Sequence, residues 1–267
     1  SPLKRLIGKD RPPTGADMIE ISIERLAKTE RLLVITGAGI SSESGIPTFR
    51  GTDGLWKTYR AEELATPYAF DRDPRTVWEW YDWRRQLIAA SLPNRGHYAI
   101  KELEDVVGGF CLITQNVDGL HGRTGITNIV EIHGNLWRTR CLKEGKLTML
   151  TDVPLKEIPP LCSCGGLLRP DVVWFGESIP SDVLEKSFSL LQWCDTLIIA
   201  GTSGVVYPVA SFPGIVKSQG GFVIEVNIER TAISDQADLS LLGKCGEILP
   251  RLVEGVAQTK GHGLSRQ

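Results

Sequence analysis

Short unbroken apolar runs recur along the chain: Leu32-Leu33-Val34-Ile35, Phe110-Cys111-Leu112-Ile113-Thr114, Ile129-Val130-Glu131-Ile132, Val172-Val173-Trp174-Phe175, Thr196-Leu197-Ile198-Ile199-Ala200 and Phe222-Val223-Ile224-Glu225-Val226. Runs of this kind suit strands buried on both faces, and most are separated by segments of helical spacing. The pattern therefore predicts an α/β protein on a Rossmann-like parallel sheet. Ahead of the first run, residues 16–30 place Ile19, Ile23, Leu26 and Ala27 on one helical face. Two stretches break the rhythm. Residues 46–95 are aromatic and charged with helical patterning, and residues 138–170 carry Pro, Lys and Cys with little periodicity. Both predict excursions that form a smaller inserted subdomain. The expected division is one domain over 16–255, with its main part in 16–45, 96–137 and 171–255, the smaller part in 46–95 and 138–170, and tails at 1–15 and 256–267.

Composition narrows the function. With 267 residues and 42% apolar content, the chain can bury one large core without disulfides. A net charge of −2 with both signs interspersed gives no footprint for nucleic acid or anionic lipid. No apolar run has membrane-spanning length, and Ser1-Pro2-Leu3-Lys4-Arg5 lacks the apolar core of a signal peptide, so a soluble, cytoplasmic protein with no membrane partner is expected. Of the six cysteines, Cys111, Cys194 and Cys245 lie in or beside apolar runs and read as small buried hydrophobes. Cys141, Cys162 and Cys164 stand in polar, turn-rich sequence and are candidates for a metal site.

In an open parallel sheet, ligands bind at the carboxyl ends of the strands. The loops there hold Gly37 to Arg50, Gln115-Asn116-Val117-Asp118, Gly201-Thr202-Ser203 and Asn227-Ile228-Glu229. Thr36-Gly37-Ala38-Gly39-Ile40-Ser41 follows a strand as a dinucleotide-binding turn would, but the third glycine of that pattern falls on Ser42, a poor match to a dehydrogenase. Thr202 and Ser203 offer hydroxyls to phosphate or ribose, and Asn227 and Glu229 suit an adenosine ribose. Asn116, Asp118 and His133 put an amide, a carboxylate and an imidazole at adjacent strand ends, and imidazole is the side chain whose pKa suits proton abstraction near neutrality.

Together, Gly37-Ala38-Gly39-Ile40-Ser41, Gly45-Ile46-Pro47-Thr48-Phe49-Arg50, Thr114-Gln115-Asn116-Val117-Asp118, His133-Gly134, Val172-Val173-Trp174-Phe175-Gly176-Glu177 and Gly201-Thr202-Ser203 resemble the sirtuin family in order and extent, from about residue 20 to 255. The resemblance implies NAD-dependent removal of acyl groups from lysine, giving nicotinamide and O-acyl-ADP-ribose. It implies His133 as general base on the ribose hydroxyls, Asn116 ordering the ribose and a water, and Asp118 holding the nicotinamide carboxamide. Phe49 would shield the reacting ribose carbon and Arg50 would clamp the phosphates. Gly37, Ala38, Gly39, Ser41, Gln115, Gly201, Thr202, Ser203, Asn227, Glu229 and Cys245 would complete the NAD site. Val172, Val173 and Phe175 would meet the substrate peptide, an acylated lysine in a protein or peptide, and the chain would act as a monomer.

Tyr81 and Arg84, three apart, share a helical face, where a phenol and a guanidinium form a fork that fits a carboxylate. Tyr-x-x-Arg at this place, with the small Ala65, is similar to the class III sirtuins, whose pocket admits succinyl, malonyl and glutaryl lysine. Succinyl and malonyl removal, with acetyl removal retained, is therefore expected. The chain departs from the family in its zinc motif. Sirtuins carry two Cys-x-x-Cys pairs that give a zinc-ribbon-like module, whereas this chain has Cys141-Leu142-Lys143-Glu144 and Cys162-Ser163-Cys164. Three thiolates and Glu144 could hold zinc, while Lys143 and Lys146 oppose it; the other possibility is a shrunken module held by packing. An NAD glycohydrolase or ADP-ribosyltransferase, a plain deacetylase and a non-catalytic NAD-binding regulator are the competing readings.

Overall fold

The computed structural model describes residues 13–47 and 59–261. Among these the helices are α1 (Gly15–Ala27), α2 (Ala38–Ser42), α3 (Ala61–Leu64), α4 (Pro67–Arg72), α5 (Pro74–Ala90), α6 (Arg95–Val106), α7 (Ser181–Trp193), α8 (Phe212–Ser218) and α9 (Cys245–Thr259). The strands are β1 (Arg31–Thr36), β2 (Gly109–Thr114), β3 (Ile129–Glu131), β4 (Gly134–Cys141), β5 (Leu147–Met149), β6 (Leu168–Val172), β7 (Thr196–Ala200), β8 (Phe222–Asn227) and β9 (Leu239–Leu242).

Helix α1 starts at a capping box in which Asp17 N–H donates to the Thr14 hydroxyl and the Asp17 carboxylate accepts from Thr14 N–H. It stops at Ala27, short of the expected residue 30; Glu30 and Arg31 give their N–H groups to the Asp195 carboxylate, and Arg31 opens β1. Six strands then form one parallel sheet in the order β3-β2-β1-β7-β8-β9. Alternate residues of β1 serve opposite cores. Leu32 and Val34 pack with Leu26 of α1, Leu103 of α6 and Leu252 of α9, whereas Leu33 and Ile35 pack with Leu191 of α7 and Phe212 of α8. Coverage on both faces explains why these strands read as unbroken apolar runs. The chain winds from β1 to one side and returns through β7 to the other, which opens a crevice at the carboxyl ends of β1 and β7.

A third core joins α3, α4 and α5 to a small antiparallel sheet of order β5-β4-β6. Trp78 Nε1 donates to the Leu168 carbonyl at 2.8 Å. The Arg85 guanidinium, fully buried, donates to the carbonyls of Leu136, Leu150 and Asp152 at 3.1, 2.7 and 2.9 Å. Five such donors on one planar head let a single side chain tie the chain after β5 onto β4.

One expected strand is corrected here. The run Val172-Val173-Trp174-Phe175 does not join the parallel sheet; β6 ends at Val172 and pairs antiparallel with β4. Residues 168–172 alternate buried and half-buried, the pattern of a one-sided strand, and Pro170 fits because β6 is an edge.

Candidate active site

The four loop tips at the crevice touch one another. Gly37 N–H donates to the Ala200 carbonyl and Gly39 N–H to the Gly201 carbonyl, at 3.0 and 2.8 Å. A Cβ on Gly37 would lie 2.7 Å from Thr202 Cβ, and one on Gly39 2.8 Å from the Gly201 backbone. Only glycine allows that approach. Gln115 Nε2 donates to Thr202 Oγ1 at 3.1 Å, and Asn227 Nδ2 donates to the Thr202 carbonyl at 2.8 Å. The loops after β1, β2, β7 and β8 thus make one floor. Ala38 is half-buried on it, Ser203 and Glu229 stand exposed at its rim, and Cys245 is buried behind it at the start of α9. Burial, then the nearby Glu43 charge, pushes the Cys245 thiol up to about 12, so it serves as a small apolar group. Phe49 and Arg50 lie outside the described residues.

Asn116 and Asp118 are buried in this floor. Asn116 Nδ2 donates to the Gly37 carbonyl at 3.0 Å and to Ser41 Oγ at 3.2 Å. Ser41 Oγ in turn donates to Asp118 Oδ2 at 2.7 Å, while Leu120 N–H donates to Asp118 Oδ1 at 2.8 Å. Burial raises the Asp118 pKa, and the bonds from Ser41 and Leu120 with the charge of Arg84 only partly offset it. Behind Ser41 stands His97, fully buried, whose Nδ1 accepts Asn94 N–H at 3.2 Å. Its other nitrogen, Nε2, therefore carries the hydrogen and faces Ser41 Oγ at 3.4 Å.

His133 sits in the turn from β3 to β4, where the two sheets meet. Ile132 N–H donates to the Thr114 carbonyl of the parallel sheet, and Val173 N–H donates to the His133 carbonyl, at 3.0 and 2.9 Å. Gly134 makes the turn with φ +86°, and a Cβ there would lie 2.1 Å from the Asp171 carbonyl oxygen. His133 Nδ1 is 3.2 Å from the Gln115 carbonyl. A carbonyl only accepts, so this contact places the hydrogen on Nδ1 and leaves Nε2 as the basic nitrogen. Burial lowers the His133 pKa and keeps the ring neutral at pH 7; the Gln115 bond acts against that shift.

The small unit supplies the opposite wall. A small recess is lined by Ala38, Ser41, Ile46, Arg84, Asn116 and Asp118 among others, so a guanidinium from α5 shares it with the carboxylate and amide of the main sheet. Arg84 lies over the Trp80 ring at 5.5 Å. Tyr81 OH, buried, accepts from Trp174 Nε1 at 2.8 Å. Burial raises the Tyr81 pKa, which keeps the phenol protonated and its hydrogen available to donate. Ala65, buried at the end of α3, accepts Phe175 N–H on its carbonyl at 2.9 Å, and the Phe175 side chain is exposed. Val172 is buried at the end of the edge strand β6, and Val173, half-buried, follows it beside His133.

This geometry meets its counterpart in known proteins. The family model described as Sir2 family matches residues 37–208. The chain belongs to the Sir2 family. It is 55% identical over 234 residues to NAD-dependent protein deacylase 2 of Pyrobaculum aerophilum, covering 86% of this chain and 93% of that protein. A Sir2 homologue solved as its NAD complex superposes with a TM-score of 0.86 at 47% identity, covering 90% of this chain and 94% of the other. Another, solved with 2′-O-acetyl ADP ribose, gives a TM-score of 0.84 at 47% identity over 93% of this chain and 99% of that one.

In this Sir2 protein the cysteine module closes on itself as a candidate metal centre. Ligand atoms of Cys141, Glu144, Cys162 and Cys164 all lie within 4.8 Å of one another, and the Cys141 and Cys164 sulfurs are 3.5 Å apart. Zinc–sulfur bonds of about 2.3 Å in a tetrahedron put sulfurs roughly 3.8 Å apart, so the donor set fits that ion. Gly145, at φ +67°, donates its N–H to the Cys141 carbonyl and turns Glu144 back toward the thiols. Gly166 must lack a side chain, since a Cβ would lie 2.9 Å from the Cys141 sulfur and 3.2 Å from that of Cys164. Lys143 and Lys146 are exposed, which leaves their charges screened by solvent.

Some residues that shape the site escape a reading of the sequence. Arg169 grips Glu177 through two bonds of 2.7 and 2.9 Å and stacks 3.6 Å above the Trp174 ring, while Trp174 N–H donates to Glu177. This clamp folds residues 173–177 beside His133. Its only sequence signal was the acidic end of Trp174-Phe175-Gly176-Glu177.

Proposed function

We propose that this chain removes acyl groups from protein lysine with NAD as co-substrate, and that its acyl pocket takes succinyl and malonyl groups beside acetyl. The deacylase reading is carried by one arrangement: a glycine-floored, amide- and hydroxyl-rich crevice at the sheet's switch point, beside a histidine whose tautomer is fixed with Nε2 basic. That floor fits a dinucleotide, because Gly37 and Gly39 let the loops after β1 and β7 close into one surface and its polar groups include Thr202, Gln115, Asn116 and Asp118. NAD, when bound, supplies the ribose carbon that the acyl oxygen attacks, with nicotinamide leaving and the acyl group ending on ADP-ribose. His133 Nε2 takes the proton from the ribose hydroxyl, and its Nδ1–H on the Gln115 carbonyl steadies the ring as charge develops. Asn116, tied to Gly37 and Ser41, orients the ribose, and Asp118 holds the carboxamide. The peptide backbone pairs along the edge formed by Val172 at the end of β6 and by Val173 after it, which gives affinity with little sequence preference. Cys141, Cys162, Cys164 and Glu144 would hold zinc away from these steps, where it would brace the small sheet.

The acyl preference rests on Arg84 and Tyr81. A guanidinium as buried as Arg84 gains more from an incoming carboxylate than from an uncharged acetyl group, and the Tyr81 hydrogen adds a second donor. Ala65 keeps the pocket wide. Matched succinyl- and acetyl-lysine peptides test this reading. Hydrogen bonds to a charged group contribute about 1.5–3 kcal/mol, so Arg84→Met should lower kcat/KM for the succinyl peptide roughly 10- to 150-fold and leave the acetyl peptide within about threefold. An unchanged succinyl-to-acetyl ratio in both Arg84→Met and Tyr81→Phe would overturn the preference.

A further inference from the structure

His121 plays no part in the steps above, yet it is buried directly behind them. Its Nε2 lies 3.0 Å from the Thr36 hydroxyl at the end of β1. Thr36 Oγ1 donates to Thr114 Oγ1 at 2.9 Å, across the register pair that ends β1 and β2. Thr114 Oγ1 also accepts the backbone N–H of Asn116 at 3.1 Å. Since the Thr36 hydrogen is committed to Thr114, His121 Nε2 must be the donor in its own contact. Its Nδ1 then keeps a lone pair that is buried with no hydrogen-bond partner. A histidine left half-satisfied in a core is a poor choice for packing alone, because an unsatisfied buried acceptor is destabilising and an apolar side chain would avoid it. The Nε2–H is what a leucine could not supply.

We propose that His121 is a positioning residue: through Thr36 and Thr114 it fixes the backbone of Asn116, and so the amide that orients the ribose. The neighbouring His97, whose ring centre is 4.7 Å from that of His121, holds the other side of the same group through Ser41, which Asn116 Nδ2 and Asp118 share. Backbone and side chain of Asn116 are therefore each tied to a separate buried imidazole. The proposal rests on the reading of Asn116 as a residue of the NAD site.

Three replacements at one position separate positioning from packing. Glutamine places an amide N–H close to where Nε2 lies, asparagine places it near Nδ1, and leucine offers no donor at a size similar to glutamine. With NAD and an acyl-lysine peptide, His121→Leu is expected to lower kcat at least tenfold with the peptide KM within twofold and the melting temperature not reduced. His121→Gln should recover kcat to within threefold of the parent, and His121→Asn should not. Thr36→Val, which breaks the link without touching the histidine, should reproduce the leucine loss, and the double variant should be no slower than either single one. The proposal is overturned if His121→Leu keeps the parent kcat, if glutamine is no faster than leucine or asparagine, or if the losses of His121→Leu and Thr36→Val multiply. Should His121→Leu fail to fold, the glutamine–asparagine comparison and Thr36→Val decide alone. Asn116→Ala, run alongside, keeps two failures apart: full deacylation in that variant would remove the site reading itself, whereas its loss with an active His121→Leu would remove only the relay.

Discussion

Gly134→Ala is the perturbation whose effect the structure states most sharply. Gly134 has φ +86°, and an added Cβ would lie 2.1 Å from the Asp171 carbonyl oxygen and 2.9 Å from Val172 Cα. A left-handed conformation costs an L-residue about 1–2 kcal/mol. The overlap adds a second cost, since β6 cannot retreat freely: Asp171 is bonded to Arg138 and Arg140, and Val173 N–H to the His133 carbonyl. Overpacking of this kind costs about 1–3 kcal/mol, so the total is about 2–5 kcal/mol. At roughly 2–4 °C per kcal/mol for a chain of this size, the melting temperature should fall by about 4–20 °C. Gly220→Ala is the control, with φ +82° and nothing within 4 Å of the added carbon, and only the conformational cost of about 1–2 kcal/mol is expected there. Thermal and urea unfolding read both variants, and nicotinamide release reads the displacement of His133 in the first. If Gly134→Ala melted no lower than Gly220→Ala, the steric argument for the His133 turn would be refuted.

Burial lowers the His97 pKa to about 4, below the ordinary 6.5, so the folded state excludes a proton that the unfolded chain accepts. Stability from this group is complete above pH 6.5 and is lost as pH falls toward 4, up to roughly 3 kcal/mol; urea unfolding of His97→Gln between pH 7.5 and 4.5 should show a shallower decline than the parent, and an equal decline would contradict the assignment. His133, lowered in the same direction, should give the acid limb of kcat/KM a midpoint below the usual histidine value, and a midpoint above 6.5 would exclude it as the base. Metal analysis should find one zinc per chain, lost in Cys164→Ser and held more tightly in Glu144→Cys, where a thiolate replaces the carboxylate. A chelator should lower the melting temperature of the parent; no zinc and no chelator effect would mean that packing alone holds the module.

The parallel sheet was legible because its strands are covered on both faces, which makes Leu33 and Leu32 equally apolar although they serve different cores. The small sheet was hidden for the same reason turned round. In β6 alternate positions are buried and in β4 only Leu136, Thr139 and Cys141, while Arg138, Arg140 and Arg169 stand among the others and dilute the apolar signal. β9 was also unseen, being four residues long with Ser240 inside it, where its hydroxyl donates to the buried Glu225. At the crevice, Asn116, Asp118, His133 and Thr202 could be placed because each lies within a few residues of a strand end. The contacts that fix them could not be read in the same way. His97 and Ser41, or His121 and Thr36, are far apart in sequence and meet only when the strands align, and Arg85 reads as a solvated charge until the loop it closes is seen.

Coupling of acyl removal to NAD cleavage in this crevice is tested by following both products in one reaction. With NAD and an acyl-lysine peptide, nicotinamide and deacylated peptide should appear one for one, neither should form without the other reactant, and His133→Ala should abolish the formation of deacylated peptide. Nicotinamide released at the same rate with no peptide present would instead mark a glycohydrolase or ADP-ribosyltransferase, and deacylation without NAD would contradict the account altogether.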